Sequence, residues 1–261
     1  MSVAEPTARP PVVAGMFYPR SALECRQAVE DMFRHALPPV AGSWIGALVP
    51  HAGWICSGQV AADAVASMKA ANPAPDLILI FGAVHTVGGV SYGALDDHAS
   101  WETPLGEVPL AQEISNELAR RVLLLRYDQR VHRRDHAIEV QLPLIRYAWE
   151  QTPILPIAVP PIQQAAEIGR QTAAALKAMD VHAIYFASSD LTHYGPDYGI
   201  DIAGEGESAL QWARQNDRRL LEKIGQLQAD DVVPETQENY NACGGGAIAA
   251  LLGACLELGA K

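Results

Sequence analysis

Residues 45–70, IGALVPHAGWICSGQVAADAVASMKA, contain the pattern that decides the fold. The apolar run 45–49 has the length of a buried strand and stops at Pro50, and the segment 60–70 repeats apolar residues at helical spacing. This strand-then-helix order returns several times along the chain. Strands separated by helices of about 10 to 17 residues are typical of a parallel sheet. We therefore predict an α/β protein with a central, mainly parallel or mixed sheet and helices on both faces.

The other predicted elements rest on the same two patterns. The first helix begins at a capping box, in which Ser21 precedes Glu24 by three residues. The predicted strands are 45–49, 77–81, 89–94, 154–159 and 183–187, and the predicted helices are about 22–37, 60–70, 110–122, 138–149, 165–179, 207–227 and 247–258.

Three polar segments show neither pattern. They are 100–108, which we interpret as a rim loop, the polar segment 127–135, and 234–242, which is predicted to be irregular. No linker or internal repeat divides the chain. We therefore expect one domain over residues 1–261, in which residues 1–14 form an N-terminal arm that lies on the surface or is mobile.

The composition excludes several classes of function. The chain has 261 residues, 49% of them hydrophobic, and a formal net charge of −11. This charge argues against a sequence-independent grip on nucleic acid, which needs clustered Lys and Arg. No segment approaches the roughly 18 to 20 apolar residues of a membrane span. The four cysteines follow no disulfide or zinc-knuckle spacing. We expect a soluble, cytoplasmic protein with reduced thiols that binds neither nucleic acid nor membrane.

Residues able to bind a metal follow the predicted strands. His51 follows the strand 45–49, His85 follows 77–81 and His193 follows 183–187 with Asp190 three residues before it. Ligands of open α/β sheets bind at the carboxyl ends of the strands. A single histidine after a strand is more often a turn residue, but three at equivalent places favour one shared site.

Cys243 differs from the other cysteines in its surroundings. Cys25 and Cys255 lie on apolar helical patterns and suit the core, and Cys56 lies in the loop beside His51. Cys243 stands between Asn241 and a glycine triplet, at the start of the last helix. A helix N-terminus lowers the pKa of a thiol, and the thiolate is the form that binds metal.

Two imidazoles and one anionic ligand form a reactive mononuclear metal site. With a carboxylate as third ligand the pattern favours non-haem Fe(II), and with a thiolate zinc, copper or iron all fit. Asp190 is therefore an alternative ligand beside or instead of Cys243. His193 is a candidate acid–base group or substrate contact.

Four further residues are candidates for the wall of a substrate pocket. His136 and Glu139 stand three apart at a predicted helix start and can point the same way; the alternative is a capping and surface ion-pair role. Trp101 offers a large face on the predicted rim loop, with core packing as the alternative. Trp54 lies close to His51 in sequence.

Seven short motifs occur in one order along nearly the whole chain: AGMFYP, PHAGWICSG, FGAVH, WETPLG, DHAIEVQLP, SSDLTHYG and NACGGGA. Together they resemble the Memo family, also known as protein B of the AmmeMemoRadiSam system. The resemblance implies a fold similar to class III extradiol ring-cleaving dioxygenases and an iron or copper site of two His and one Cys. Two departures, GAV before His85 where Gly-Pro-Asn is usual and Trp54 where Tyr is common, would reshape the pocket without removing ligands.

Transferred by motif, the resemblance assigns His51, His85 and Cys243 as metal ligands. It also implies that Asp190 and His193 line the same pocket, with His193 similar to the acid–base histidine of the dioxygenases. We expect Fe(II) first, with copper or zinc as alternatives.

Three functions are compatible with these residues. The first is metal-dependent redox chemistry of dioxygenase type on a small molecule, in which His193 moves a proton. The second is a metal-binding or peptide-binding module without turnover, which a thiolate ligand favours because it makes iron softer and more oxidisable. The third, zinc-dependent hydrolysis, needs a base such as Glu139 or His193. In all three, Cys243 must lie close to His51 and His85.

Overall fold

A six-stranded mixed sheet lies at the centre of the structure, a computed structural model that describes residues 7–200, 202–204 and 206–261. The strands of the described residues are β1 (Ala8–Arg9), β2 (Gly46–Val49), β3 (Leu77–Gly82), β4 (Gly93–Leu95), β5 (Ser100–Thr103), β6 (Gly106–Pro109), β7 (Leu125–Tyr127), β8 (Ile154–Ala158) and β9 (Ala183–Ser188). The central sheet has the order β2-β9-β3-β8-β4-β7. Its first four strands are parallel, whereas β4 is antiparallel to β8 and β7 is parallel to β4.

Helices cover both faces of this sheet. Within the described residues they are α1 (Ala22–Arg34), α2 (Trp54–Ala71), α3 (Gln112–Arg121), α4 (Gln129–His132), α5 (Leu142–Ala148), α6 (Ala165–Ala178), α7 (Gly206–Gly225), α8 (Ala229–Asn239) and α9 (Gly245–Glu257). Short 3-10 turns occupy Glu139–Gln141 and Pro196–Tyr198. None of these helices is both long enough and apolar enough to cross a membrane.

The strand β3 shows why the sheet needs two helical layers. Every residue of its sequence LILIFG is buried. Leu77, Leu79 and Phe81 pack in one cluster with residues of α6 and α9, whereas Ile78 and Ile80 pack in another with α2 and α5. Successive side chains of a strand point to opposite faces, so a wholly apolar strand must be covered on both. The predicted α/β class, with one domain and a mixed sheet between helices, is confirmed.

The glycine-rich start of α9 serves close packing. A Cβ on Gly246 would lie 2.2 Å from the carbonyl oxygen of Pro160, and one on Gly253 would lie 2.1 Å from that of Ala166. On the facing helix, a Cβ at Gly169 would lie 1.8 Å from the carbonyl oxygen of Ala250. Only glycine allows the backbones of α6 and α9 to approach this closely. The contact of Gly246 with Pro160, before α6, fixes the start of α9 and with it the position of Cys243.

The predictions for the N-terminal arm and for the segment 100–108 were wrong. Residues 1–6 lie outside the described residues, but Ala8–Arg9 pairs in parallel with β5, and Arg9 is buried. The predicted rim loop is the antiparallel hairpin β5–β6, with its turn at Pro104 and Leu105. The arm and the hairpin together form a three-stranded sheet, because each supplies hydrogen-bond partners that the other lacks.

Other differences concern boundaries, the unpredicted strand β7, and two unpredicted helices, α4 within the polar segment 127–135 and α8. The helix α2 begins at Trp54, six residues before the predicted start, and β4 covers only the end of the predicted strand 89–94. The predicted irregular segment 234–242 belongs largely to α8, which contains Pro234. A proline inside a helix removes one hydrogen bond, and buried Val232 and Val233 offset that loss by packing in the core.

Candidate metal centre

The candidate site lies at the carboxyl ends of three neighbouring parallel strands. β2, β9 and β3 are adjacent and run in the same direction, so the loops that follow them leave from one edge of the sheet. His51 comes two residues after β2, Asp190 two residues after β9 and His85 three residues after β3. Cys243 reaches the same edge because it directly precedes the N-terminus of α9.

His51, His85 and Cys243 converge on one point. The ligand atoms of the three side chains lie within 4.8 Å of one another, and Nε2 of His51 is 3.2 Å from Sγ of Cys243. The two imidazole rings meet edge to face, with centroids 5.2 Å apart. His51 is buried, whereas the side chain of His85 is 26% exposed. The cluster is therefore closed on the His51 side and open to solvent on the His85 side.

Each imidazole of the cluster is held through its other nitrogen. Nδ1 of His51 lies 3.2 Å from Oγ of Ser188. Nδ1 of His85 lies 3.2 Å from a carboxylate oxygen of Asp135, and the backbone N–H of His85 donates to the other oxygen at 2.7 Å. Metal-binding histidines are characteristically oriented by such a bond. In both residues Nε2 is left to face the cluster.

The electrostatics of the cluster favour a thiolate. Burial alone would raise the pKa of Cys243, but hydrogen bonds and charge from His51 and His85 outweigh it and lower the pKa to about 6. Burial would lower the pKa of His85, but its hydrogen bonds to Asp135 and Cys243 raise the pKa to about 10. In the absence of metal, Cys243 and His85 thus form an anion–cation pair near neutral pH. The thiolate is the form of cysteine that binds metal.

Asp190 holds the loop of His51 and also contacts His193. One carboxylate oxygen accepts from the backbone N–H groups of His51 and Ala52 at 2.7 and 3.1 Å. The other lies 3.5 Å from Nε2 of His193 and 3.9 Å from Nε2 of His51. Burial opposes ionisation, but these bonds lower the pKa of Asp190 to about 2. The hydrogen bond between His193 and Asp190 raises the pKa of His193. The ring of His193 stacks on that of Tyr198, with centroids 4.6 Å apart.

A third imidazole, His136, borders the cluster. Its ring is stacked on that of His85 with centroids 4.9 Å apart, and it meets His51 edge to face at 5.2 Å. Burial, with the neighbouring charges of His51 and His85, lowers the pKa of His136 to about 4. Phe17 covers another side of the ring at 4.8 Å. His136 is thus a neutral imidazole in an aromatic wall.

Glu139 fixes the N-terminal segment and is fully buried. Its carboxylate accepts hydrogen bonds from Arg9, from the backbone N–H groups of Val12 and Val13, and from the hydroxyl of Tyr18, at 2.7 to 3.0 Å. Glu139 therefore neither forms the surface ion pair considered from the sequence nor lines a pocket. Glu139 instead holds the segment that carries Phe17 against His136.

The two tryptophans have different roles. Trp101 is buried, with the guanidinium carbon of Arg9 4.0 Å above its ring and its indole N–H donated to Asp96 at 2.6 Å. Trp101 therefore packs in the interior, which was the alternative considered from the sequence, and does not lie on a rim loop. Trp54 lies closer to the site: it is half-buried, donates its indole N–H to the carbonyl of Val140 and packs 5.5 Å from Tyr18.

Sequence reasoning missed five residues that shape the cluster: Phe17, Asp135, Gln141, Ser188 and Tyr198. Four of them lie inside the quoted motifs, two in DHAIEVQLP, one in SSDLTHYG and one in AGMFYP. The motifs were thus the available signal, although their order alone does not reveal which atoms meet.

Comparison with known proteins agrees with the motif order. The family model described as Memo-like protein matches residues 9–261. A MEMO1 family protein of Methanococcoides burtonii is 34% identical over 257 residues, covering 97% of this chain and 89% of that protein. A MEMO1 family protein of Methanopyrus kandleri is 33% identical over 266 residues, covering 97% and 88%, and one of Nitrosopumilus maritimus is 31% identical over 263 residues, covering 97% and 88%.

Among solved structures, an uncharacterized protein of Escherichia coli K12 is similar with a TM-score of 0.47 and 16% identity. The match covers 69% of this chain and 75% of that one. Similarity at this level does not establish a shared fold family, so the likeness to class III extradiol dioxygenases stays a prediction.

Proposed function

This chain belongs to the family of Memo-like proteins, and we propose that it holds a single metal ion, Fe(II) in the first place, between His51, His85 and Cys243. The proposed activity is metal-dependent redox chemistry of dioxygenase type on a small molecule. Copper and zinc are the alternative ions, since all three metals accept imidazole and thiolate ligands.

The observation that carries this proposal is the convergence of three donor atoms on one point. Metal–nitrogen and metal–sulfur bonds of about 2.0 to 2.3 Å place pairs of ligand atoms roughly 3 to 4.5 Å apart. The ligand atoms of His51, His85 and Cys243 lie within 4.8 Å of one another, so movements of a few tenths of an ångström bring them to metal-binding distances. A lowered thiol pKa and two imidazoles held through Nδ1 complete a donor set that fits such an ion.

A bound iron would supply a change of redox state and coordination positions not taken by protein. Proton handling falls to the surrounding side chains. His193 is hydrogen-bonded to Asp190, which favours the protonated imidazole and so keeps a proton at Nε2 beside the cluster. His136 is neutral and lies between Phe17 and His85, where it lines the space for a substrate without adding charge. A proton donor beside an uncharged wall suits general acid–base chemistry on a small molecule.

The second candidate function is metal binding without turnover, with the cleft used for metal storage or for docking an extended peptide. The thiolate of Cys243 favours it, because a cysteine ligand is itself open to oxidation. Both functions need the same ligands, and only turnover separates them.

The test of the metal centre is anaerobic purification followed by elemental analysis. The wild-type protein is compared with His51→Ala and Cys243→Ser, and two matched controls change residues of the same type outside the cluster, the exposed His35 in His35→Ala and the exposed Cys56 in Cys56→Ser. We expect close to one ion per chain in the wild type and both controls, and loss of the ion in the two site variants. Equal metal content in all five proteins would overturn the proposed ligands.

The test of turnover uses the metal-loaded protein, catechol-like substrates and oxygen. Oxygen consumption that disappears in His193→Gln, while metal content is retained, would support redox chemistry with His193 as the proton donor. Full metal loading without oxygen consumption in any variant would instead support the metal-binding module.

A further inference from the structure

We infer that Ser188 and Gln141 hold the proton of His51 on Nδ1 and so keep its Nε2 free as a ligand atom, a role that neither residue type suggests by itself. Both side chains are fully buried and lie behind His51, away from Cys243. The tautomer follows from hydrogen bonds alone, whereas its consequence for metal binding rests on the proposed function.

The first step is the orientation of the Gln141 amide. The side-chain nitrogen of Gln141, Nε2, lies 2.7 Å from the carbonyl oxygen of Pro50 and 3.0 Å from Oγ of Ser188. A carbonyl oxygen only accepts, so the NH2 group must face Pro50 and the opposite amide orientation would bring two acceptors together. Oε1 of Gln141 is buried without a hydrogen-bond partner among the described residues, yet the orientation is kept. Gln141 is therefore a donor to Ser188.

The second step is the single hydrogen of the Ser188 hydroxyl. Oγ lies 2.6 Å from the carbonyl oxygen of Ala137, which can only accept. Because this bond uses the one hydrogen of the hydroxyl, Oγ must act as an acceptor in its other contacts. It accepts from Nε2 of Gln141, and its remaining lone pair accepts from Nδ1 of His51 at 3.2 Å. Nδ1 therefore carries the proton of the imidazole.

The third step concerns the opposite side of the ring. In a neutral imidazole with a proton on Nδ1, Nε2 has a lone pair and no hydrogen. That lone pair faces Sγ of Cys243 at 3.2 Å. A lone pair and a thiolate face each other favourably only with a cation between them, either a proton or a metal ion. By holding a hydrogen on Nδ1, Ser188 thus makes the position between His51 and Cys243 favourable for a cation.

The two histidines keep a hydrogen on Nδ1 by different means. Asp135 is a carboxylate that only accepts, so it selects Nδ1–H in His85 by charge. Ser188 achieves this in His51 without adding charge. A neutral partner suits His51, since the carboxylate of Asp190 already lies 3.9 Å from its Nε2.

The test is the tautomer of His51 in the metal-free protein. Long-range proton–nitrogen correlation spectra of protein labelled with ¹⁵N at histidine distinguish a protonated nitrogen from one with a free lone pair. In the wild type we expect Nδ1 of His51 to carry a hydrogen. In Ser188→Ala we expect Nδ1 to lose that hydrogen, so that only Nε2, which faces Cys243, is protonated. A wild-type spectrum in which Nδ1 carries no hydrogen would overturn the inference, even if no variant folds.

Metal affinity is the second readout, measured by competition between the protein and a chelator for Zn²⁺. We expect Ser188→Ala to weaken binding about 10- to 100-fold, and Ser188→Thr, which keeps the hydroxyl, to restore it. The control is Thr172→Val, which removes another buried hydroxyl that donates to a backbone carbonyl, in α6; we expect it to alter neither the tautomer nor the affinity. If the wild type binds no metal, the proposed function fails while the tautomer result stands. If Ser188→Ala binds as tightly as the wild type with its tautomer unchanged, the inference fails alone.

Discussion

Among the described residues, the pairs Asp135–His85 and Asp96–His98 look alike, because in each the carboxylate contacts Nδ1, and they differ in what the second imidazole nitrogen meets. In the candidate metal centre, Asp135 holds Nδ1 of His85, and the other side of the ring faces Cys243. Beneath the hairpin, Asp96 lies 2.7 Å from Nδ1 of His98, whose Nε2 meets the side-chain amide of Gln129. In the second pair, the other imidazole nitrogen meets a neutral side chain. In the first pair, it faces the thiolate of Cys243.

The second pair belongs to a buried polar group that we call the anchor core: Arg9, Asp96, His98, Trp101 and Glu139. In the anchor core, nearly every contact of a carboxylate or of the guanidinium is with another group inside the protein. In the metal centre, three donors point at a common space. Buried ionisable groups are therefore informative about function only when their partners leave a position open for something else.

The largest expected effect separates stability from metal binding. Arg9→Ala removes the guanidinium from a fully buried ion pair with Glu139 and leaves a carboxylate without its counter-charge. We expect a loss of about 3 to 5 kcal/mol in the free energy of unfolding, measured by chemical denaturation. The matched control, Arg120→Ala, breaks an exposed ion pair with Glu117 and should cost less than about 1 kcal/mol.

Metal content per folded molecule should stay unchanged in Arg9→Ala. If this variant loses metal as completely as His51→Ala while it is still folded, the anchor core and the metal centre are not independent. The comparison between the two regions would then fail.

The next effect is the reactivity of Cys243 toward an alkylating reagent in the metal-free protein. Its pKa of about 6 means that the thiolate is largely formed above pH 6 and lost as the pH falls below it. Buried Cys25 and Cys255, with pKa values raised to about 11, should remain unmodified. Mass spectrometry of peptides from pH 5 to pH 9, at about one-unit steps, gives the rate at each thiol.

We expect the rate at Cys243 to rise to half its maximum near pH 6. A half-maximum near the ordinary thiol pKa of about 8.5 would show that the imidazoles do not stabilise the thiolate. Prior loading with metal should protect Cys243 and leave the modification of the exposed Cys56 unchanged.

The smallest expected effect tests the two aspartates directly. Asp135→Asn removes the carboxylate that orients His85 and should weaken Zn²⁺ binding about 10- to 100-fold, equivalent to about 1.4 to 2.7 kcal/mol. Asp96→Asn makes the same change beneath the hairpin and should leave the affinity unchanged, although it lowers stability. Chelator competition and thermal unfolding measure the two quantities. Equal losses of affinity in both variants would contradict the distinction between the pairs.

The parts of the fold that were predicted correctly have strong local patterns. The apolar strands β2, β3, β8 and β9 and the helices α1, α6, α7 and α9 are long, periodic or wholly buried, and they occur within a few residues of their predicted places. The hairpin β5–β6 is different. Its four-residue strands carry little periodicity, and their pairing is completed by Ala8–Arg9, more than 90 residues away in sequence.

The candidate site follows the same division. His51, His85, His193 and Cys243 could be proposed from the sequence because residues after parallel strands and before a closely packed helix meet at one edge of the sheet. The contact between His51 and Ser188 joins residues 137 positions apart and depends on single hydrogen atoms. No spacing rule describes such a contact.

The sequence by itself determined the apolar strands β2, β3, β8 and β9 and the long helices α1, α6, α7 and α9, and it indicated that three imidazoles and a thiol come to one edge of the sheet. Only the tertiary structure decided that Glu139 and Trp101 stabilise the anchor core, that His136 lies against Phe17, and that Ser188 selects the tautomer of His51. The physical reason is the range of the interactions. Hydrophobic periodicity is a local property of the chain, whereas the saturation of a buried hydrogen-bond donor or acceptor depends on every segment that packs around it.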